Sequence, residues 1–315
     1  MLQLEGLAVV VGAALVWVFQ DRADACVQAV WDLMRTRSFV RHETFEPVVS
    51  VASFAVWHAQ WFVWDMVLPR TFTQQFSIQP KADFDHWRFK RGETLWNEAL
   101  WYIVPLALFD RLYPRRALPE TAPSAFGLAL EIVSMLVMYD VLFFAAHLAL
   151  HTVRPLYRTV HAKHHRLKHV RATEAVRLSP AEEVLDVACS IAAVNTLGFR
   201  RCHPLSRALY DVTITYLITE LHSGYDTPWM WSNIIPGGLW HGSPHHCEHH
   251  LTGRHYFAKF CGFLDTIAGT VPAKPLSHPL LAAAPARTHG VMLHAPVGKT
   301  VSPYDAHPTP KEHVY

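Results

Sequence analysis

Residues 125–165 read AFGLALEIVSMLVMYDVLFFAAHLALHTVRPLYRTVHAKHH. Up to Leu150 the stretch is long and apolar enough to cross a bilayer as one helix, for which about 20 such residues suffice. Its charged side chains, Glu131 and Asp140, stand about two and a half helical turns apart. Charged groups at such depth face a bundle interior rather than lipid. The span closes on His147 and His151, an H-x-x-x-H pair, and His161, His164 and His165 follow as H-x-x-H-H. Spacings of three and four residues set side chains on one helical face, and imidazole ligates iron, zinc, copper and nickel.

Further along, His246, His249 and His250 repeat H-x-x-H-H, and His222 stands alone between the second and third boxes. Eight or nine imidazoles are too many for one tetrahedral zinc and suit two ions held together. In an H-x-x-H-H box the first and last rings can share one metal while the middle ring leans toward a second. Helix ends converging with such boxes would enclose two ions at the usual two-metal spacing of ~3.5–4 Å. Asp140, Glu182, Glu220, Asp226 and Glu248 are candidates to orient the imidazoles from behind. His241 and His245 flank the third box as lesser candidates. His169, His203 and His255 read as surface or supporting residues, and the histidines from His278 onward as solvated. No H-E-x-x-H occurs, which argues against a zinc hydrolase of that type.

Of 315 residues, 51% are hydrophobic and 17% charged, against roughly 25% charged in a soluble domain. The apolar surplus lies in long runs, as in a membrane protein. A net charge of +2 offers no basic surface for nucleic acid. The five cysteines form no C-x-x-C pair and give no disulfide framework. Cys247, inside the third box, reads as a bystander because imidazoles already fill the ligand role.

The runs predict about four spans: Leu2–Phe19, read as an uncleaved signal anchor, Pro47–Leu68 with His58 and Asp65, Leu95–Phe109, and Ala125–Leu150. The last two are expected to form an antiparallel hairpin. A polar segment follows the first span, from about Gln20 to Glu46, and another runs from Pro69 to Glu93 with Arg70, Lys81, Arg88, Lys90 and Arg91. Arg154, Arg158, Lys163, Arg166, Lys168, Arg171 and Arg177 crowd the exit of the fourth span, which assigns that end to the cytoplasm. Helices are expected over Ala181–Thr196 and Leu205–Leu221, and a loop over Asn233–Gly242. The fold class is therefore all-α, an integral membrane helical bundle with a cytosolic helical cap holding a histidine-rich dimetal site. Residues 1–124 are expected to form N-terminal spans and connections, 125–271 a catalytic domain, and 272–315 a partly disordered tail.

The residues resemble the fatty acid hydroxylase/sterol desaturase superfamily of membrane-bound diiron enzymes, whose signature is H-x-x-x-H, H-x-x-H-H, H-x-x-H-H in this order. Leu156 to His165 is similar to the family's second-box region, and Asp140, seven residues before His147, matches its usual aspartate. His222-Ser223-Gly224-Tyr225-Asp226-Thr227-Pro228-Trp229 and His245-His246-Cys247-Glu248-His249-His250 look like the sterol-acting, cholesterol 25-hydroxylase-like branch. Asp265 through Gly269-Thr270 is similar to its closing motif. The resemblance is specific from Tyr139 to Thr270 and only a hydropathy pattern over residues 1–120. Leu148 departs from an arginine often found there, and Tyr256 from an asparagine carried by many members; both bear on the substrate pocket rather than on the metal ligands.

The resemblance implies an O₂-dependent monooxygenase of the endoplasmic reticulum membrane, multi-pass, with the site facing the cytosol. Two iron ions would be held by His147, His151, His161, His164, His165, His222, His246, His249 and His250. Electrons would come from NAD(P)H through cytochrome b5 and its reductase; no H-P-G-G haem motif occurs here, so that donor would be a separate protein. The substrate would be lipid-like (sterol, fatty acyl, terpenoid or polyketide), its unactivated C–H bond hydroxylated. A desaturase on the same scaffold is the alternative. A metal transporter fits less well, because the histidines cluster at one end of the spans and do not line a path through them.

Overall fold

The computed structural model describes residues 2–78, 95–113, 118–166, 170–196, 202–273 and 275. Among these the chain is helical, with two isolated β-bridges, Ser77 to Tyr225 and Trp240 to Cys261, as its extended pairing. The main helices are α1 (Leu2–Arg35), α2 (Phe45–Phe62), α3 (Leu95–Leu112), α4 (Ala125–Thr152), α5 (Pro180–Thr196), α6 (Pro204–Leu221), α7 (Ser243–Thr252) and α8 (Gly262–Ala268).

Five of them close into a ring. α2 packs on α6, α6 on α4, α4 on α5, α5 on α3, and α3 back on α2. The C-terminal ends of α2, α4 and α6 and the N-terminal end of α5 meet at one end of this ring, where the histidines lie. Inside it Met135, Leu136, Tyr139 and Phe143 of α4 pack with Ala193 of α5 and Tyr210, Ile214 and Leu217 of α6.

α4 is apolar on all sides, as a helix surrounded by apolar matter must be. Its start is capped by Ser124, whose Oγ accepts the Gly127 N–H at 3.0 Å. Only 28% of its most apolar window is buried by the rest of the protein, unlike the core helix of a soluble domain. The buried stripe is Leu136, Asp140, Phe143, His147 and His151, steps of three and four that carry one face inward. α6 begins at Pro204, where a missing N–H is harmless, with His203 Nδ1 accepting the Leu205 N–H at 3.1 Å. α7 opens with Pro244 and stops at Gly253, whose φ of 63° suits the left-handed end of a helix.

Several expectations change. The segment after Phe19 is helical as far as Arg35, so no break follows the first apolar run. Its polar side chains bind the chain that enters α4. Asp24 accepts the Ala125 N–H at 2.7 Å, Gln28 accepts the Ala122 N–H at 2.8 Å, and Trp31 donates to the Pro119 carbonyl at 2.9 Å. The expected α3–α4 hairpin does not form; α3 packs mainly on α5 and α2. The second apolar run leaves α-helical geometry at Val63, where a π-turn to Val67 rotates Asp65 inward to accept from Tyr225 Oη at 2.6 Å. Trp231–Ile234 makes a helical turn that overlaps the start of the expected loop. Arg171, one of the basic residues after the fourth span, is buried. It lies under Gly224, where a Cβ would stand 2.7 Å from the Val170 carbonyl, and only glycine fits at that φ of 75°. The expected basic residues Lys81, Arg88, Lys90, Arg91 and Lys168, Pro114, His169, and the tail 272–315 apart from residues 272, 273 and 275, lie outside the described residues.

Candidate metal centre

Nine imidazoles meet at the end of the ring in two groups. His147, His151, His161, His165 and His249 form one; His164, His222, His246 and His250 form the other. Within each, ligand-capable atoms lie within 4.8 Å of one another. All nine predicted residues are in these groups. The second box divides, with His161 and His165 in the first group and His164 in the second. The third box divides the other way, with His246 and His250 together and His249 across. His165 and His250 stack at 4.6 Å between ring centres, which joins the groups. His241 and His245 belong to neither group; they stack on each other and meet Tyr256 edge-on.

The local backbone explains the division. The first box sits on the last turns of α4. The second occupies a π-turn, Tyr157–His161, followed by a 3-10 turn, His164–Arg166. The third lies on α7, where residues 246 and 250 are one turn apart and 249 is rotated away.

Hydrogen bonds behind the rings decide which nitrogens face inward. His147 Nδ1 contacts the Phe257 carbonyl at 2.7 Å, His222 Nδ1 the Ile218 carbonyl at 2.8 Å, and His249 Nδ1 the His255 carbonyl at 2.7 Å. A carbonyl only accepts, so each Nδ1 carries the proton and each Nε2 is a bare lone pair. His161 Nδ1 stands 2.7 Å from Glu182 Oε1. Burial holds the neutral form: His161, His165 and His222 are pushed down to about 3. Burial, and then neighbouring imidazoles, hold His164, His246, His249 and His250 well below the usual range.

The result is a set of ring Nε2 atoms aimed at one another. His161 Nε2 stands 3.1 Å from His147 Nε2, 2.8 Å from His151 Nε2 and 2.9 Å from His165 Nε2. In the second group His246 Nε2 is 2.9 Å from His222 Nε2 and 3.0 Å from His250 Nε2. Where both nitrogens of such a pair are bare they repel, and a cation between them removes the repulsion. A metal ion fits each group, and neutral nitrogen donors suit the later first-row divalent metals.

Of the carboxylates expected behind the rings, Glu182 touches a ring. Asp140 acts one step removed: it accepts the backbone N–H groups of Lys259, Phe260 and Cys261, holding the loop whose Phe257 carbonyl orients His147. Asp226 accepts from Asn233 instead. The backbone carbonyls of Ile218, His255 and Phe257 carry no sequence signal and were not foreseeable. Lys259, Tyr139 and Asp186 were also missed, although Asp186 lies one turn beyond Glu182 on α5.

A cavity opens directly under both groups. His147, His161, His164, His222 and His246 form its roof, with Phe143, Ala175, Leu178 and Ile218 as apolar walls and Glu182, Asp186 and Lys259 as polar ones.

Comparison with known proteins accords with this arrangement. A sequence profile of the family described as Fatty acid hydroxylase matches residues 132–270. The chain is 30% identical to a cholesterol 25-hydroxylase of Mus musculus, over 81% of this chain and 86% of that one. It is 31% identical to cholesterol 25-hydroxylase-like protein 2 of Danio rerio, over 78% and 88%, and 29% identical to a cholesterol 25-hydroxylase of Homo sapiens, over 78% and 90%. No solved structure matches the chain.

Proposed function

The chain belongs to the fatty acid hydroxylase family and is an oxygenase, and from that premise we propose that it is a membrane-bound non-haem diiron enzyme that hydroxylates an unactivated C–H bond of a lipid-like substrate. One observation carries the reading: two nests of buried imidazoles, their ring nitrogens converging, open onto a largely apolar cavity.

His147, His151, His161, His165 and His249 would hold one iron, and His164, His222, His246 and His250 the other. A bound iron pair supplies O₂ activation and one-electron chemistry that side chains lack. The chain's own residues do the rest. Glu182 and the carbonyls of Phe257, Ile218 and His255 orient the rings. Phe143, Leu178 and Ile218 exclude water and present an apolar surface to a hydrocarbon. Electrons would come from NAD(P)H through a separate cytochrome b5 and reductase, as in the enzymes this family resembles.

α1, α2, α3 and α4 would span the membrane, with the histidine-bearing segments forming a cap on the cytosolic face of the endoplasmic reticulum. Exposed apolar side chains on these helices support the reading, among them Val56, Val104, Leu108, Phe126, Leu130 and Val133. Residues 1–124 would be the N-terminal membrane part, 125–271 the catalytic domain and 272–315 a tail. The named activity of the relatives makes sterols the first substrates to test, with fatty acyl chains, terpenoids and polyketides next.

The test is expression in microsomes with a lipid extract under ¹⁸O₂, comparing the native chain with His164→Ala. A product one labelled oxygen heavier, formed by the native chain alone, is expected. An unlabelled product lighter by two hydrogens would assign desaturation, and equal products from both chains would overturn the metal reading.

A further inference from the structure

Lys259 is a charged residue in the wall of the reaction cavity, next to the metal groups rather than at the membrane surface. Its side chain is 7% exposed and that of Asp186 is 14% exposed. The Lys259 ammonium lies 3.0 Å from both carboxylate oxygens of Asp186 and donates to Tyr139 Oη. Tyr139 in turn donates to Asp186. These three close a triangle contributed by α4, α5 and the loop before α8. The same ammonium sits 3.8 Å from the centre of the Phe143 ring, and that ring is a cavity wall.

A buried charged triangle is expensive to maintain, and apolar side chains of similar size often stabilise a core as well or better. Tying the loop to α4 does not require it, because Asp140 already holds three backbone N–H groups there. The triangle also faces the proposed reaction space, since Lys259 and Asp186 line the same cavity as five of the histidines.

The ammonium has three N–H donors. Asp186 and Tyr139 take strong hydrogen bonds; the Phe143 ring face is the weakest of its partners. A substrate oxygen reaching that side would replace a contact with a π face by a charge-assisted hydrogen bond. An anionic head group is disfavoured, because Asp186 already neutralises the ammonium and Glu182 stands in the same wall. A hydrocarbon there would leave the ammonium with its ring contact and gain nothing from it.

We propose that Lys259, positioned by Asp186 and Tyr139, is a substrate-binding residue that selects a lipid carrying a neutral oxygen function, a hydroxyl or carbonyl, close to the carbon that is oxidised. The proposal rests on the hydroxylase reading for the identity of the cavity. It distinguishes this chain's substrate from one that offers only a hydrocarbon tail at the metal centre, and implies that the preceding reaction installs an oxygen near the site of this one.

The test uses binding, which needs no turnover. Three 12-carbon alkyl diazirines are compared on the full chain in lipid nanodiscs: an unsubstituted alkane, the same chain with a hydroxyl three carbons from the diazirine, and one with a carboxylate there. Photolabelling of the peptides containing Phe143, Leu178 and Ile218 is measured against probe concentration. The native chain should saturate with the hydroxylated probe at a concentration roughly ten- to a hundredfold below that for the alkane, the range of one hydrogen bond to a charged group, and the carboxylate should bind more weakly than the hydroxyl. Lys259→Met should remove the preference and keep alkane labelling. Equal saturation of alkane and hydroxyl probes in the native chain overturns the proposal whether or not the variant folds, and so does a preference that survives in Lys259→Met. A preference for the hydroxyl in a chain that forms no ¹⁸O-labelled product would keep the anchor and remove the hydroxylase; labelled product without the preference would do the reverse.

Discussion

Asp140 accepts the backbone N–H of Phe260 at 2.8 Å across 120 residues of sequence. The bond is one of three that the carboxylate makes to consecutive N–H groups, from Lys259 to Cys261, all buried. The same loop delivers the Phe257 carbonyl to His147 and the Lys259 ammonium to the cavity. Asp140→Ala strands three buried donors, each costing about 1–3 kcal/mol. Stability should fall by roughly 3 kcal/mol or more and metal content with it. Thermal unfolding in detergent, with elemental analysis, checks this; a variant that melts like the native chain and keeps its full metal content would deny Asp140 this role.

Glu182 Oε1 stands 2.7 Å from Nδ1 of His161, a ring of the first group. Partners of this kind typically contribute ten- to a hundredfold to metal affinity. Glu182→Leu should weaken metal retention by about that factor in a chelator competition. Glu182→Gln keeps an oxygen acceptor and should lose less. If the two variants hold metal equally, the hydrogen bond is not what orients His161.

The gathering of the nine histidines was legible because helical periodicity is simple. On α4 and α7 a step of four residues keeps two rings in one group, and on α7 the ring three residues on turns to the other. The second box was legible for another reason: adjacent His164 and His165 must point apart in any regular backbone, so they divide between two groups although their segment is not α-helical. What sequence could not supply are contacts made by backbone carbonyls, since every residue has one. The triangle of Lys259, Asp186 and Tyr139 was invisible too, because each member is ordinary in its own segment and only the ring of helices brings them together. The α3–α4 hairpin failed as an expectation because adjacency in sequence says little when α5 offers α3 a better partner. Tyr256 carries a physical cost the sequence only hinted at: its φ is 55°, a conformation that asparagine tolerates and a bulky residue rarely adopts.

Cys247 lies between two predicted ligands in sequence, yet α7 turns it to the opposite side, against Ile78 and Val170. Burial pushes its thiol up to about 11. At pH 8 only about one molecule in a thousand carries the reactive thiolate, and access is blocked besides. Cys26 is exposed. Iodoacetamide at pH 8 should therefore modify Cys26 in the folded protein and leave Cys247 intact, as read by peptide mass spectrometry. Raising the pH toward 11 should increase the thiolate fraction at Cys247, and denaturation should expose it fully. Rapid modification of Cys247 at pH 8 in the folded chain would mean that α7 is not seated as described.

The two histidine groups differ in number, and that difference predicts how each tolerates loss. The first has five imidazoles and the second four. His151→Ala leaves four nitrogens around one position, still enough for a tetrahedral or open site, whereas His222→Ala leaves three around the other. His222 is also fixed by its own bond to the Ile218 carbonyl one turn back on α6. Purified with saturating iron, the native chain should hold two equivalents. His151→Ala should stay close to two, and His222→Ala should fall toward one, while hydroxylation is reduced at least about a hundredfold in His222→Ala. Equal metal loss in both variants would mean that the nine rings act as one undivided site.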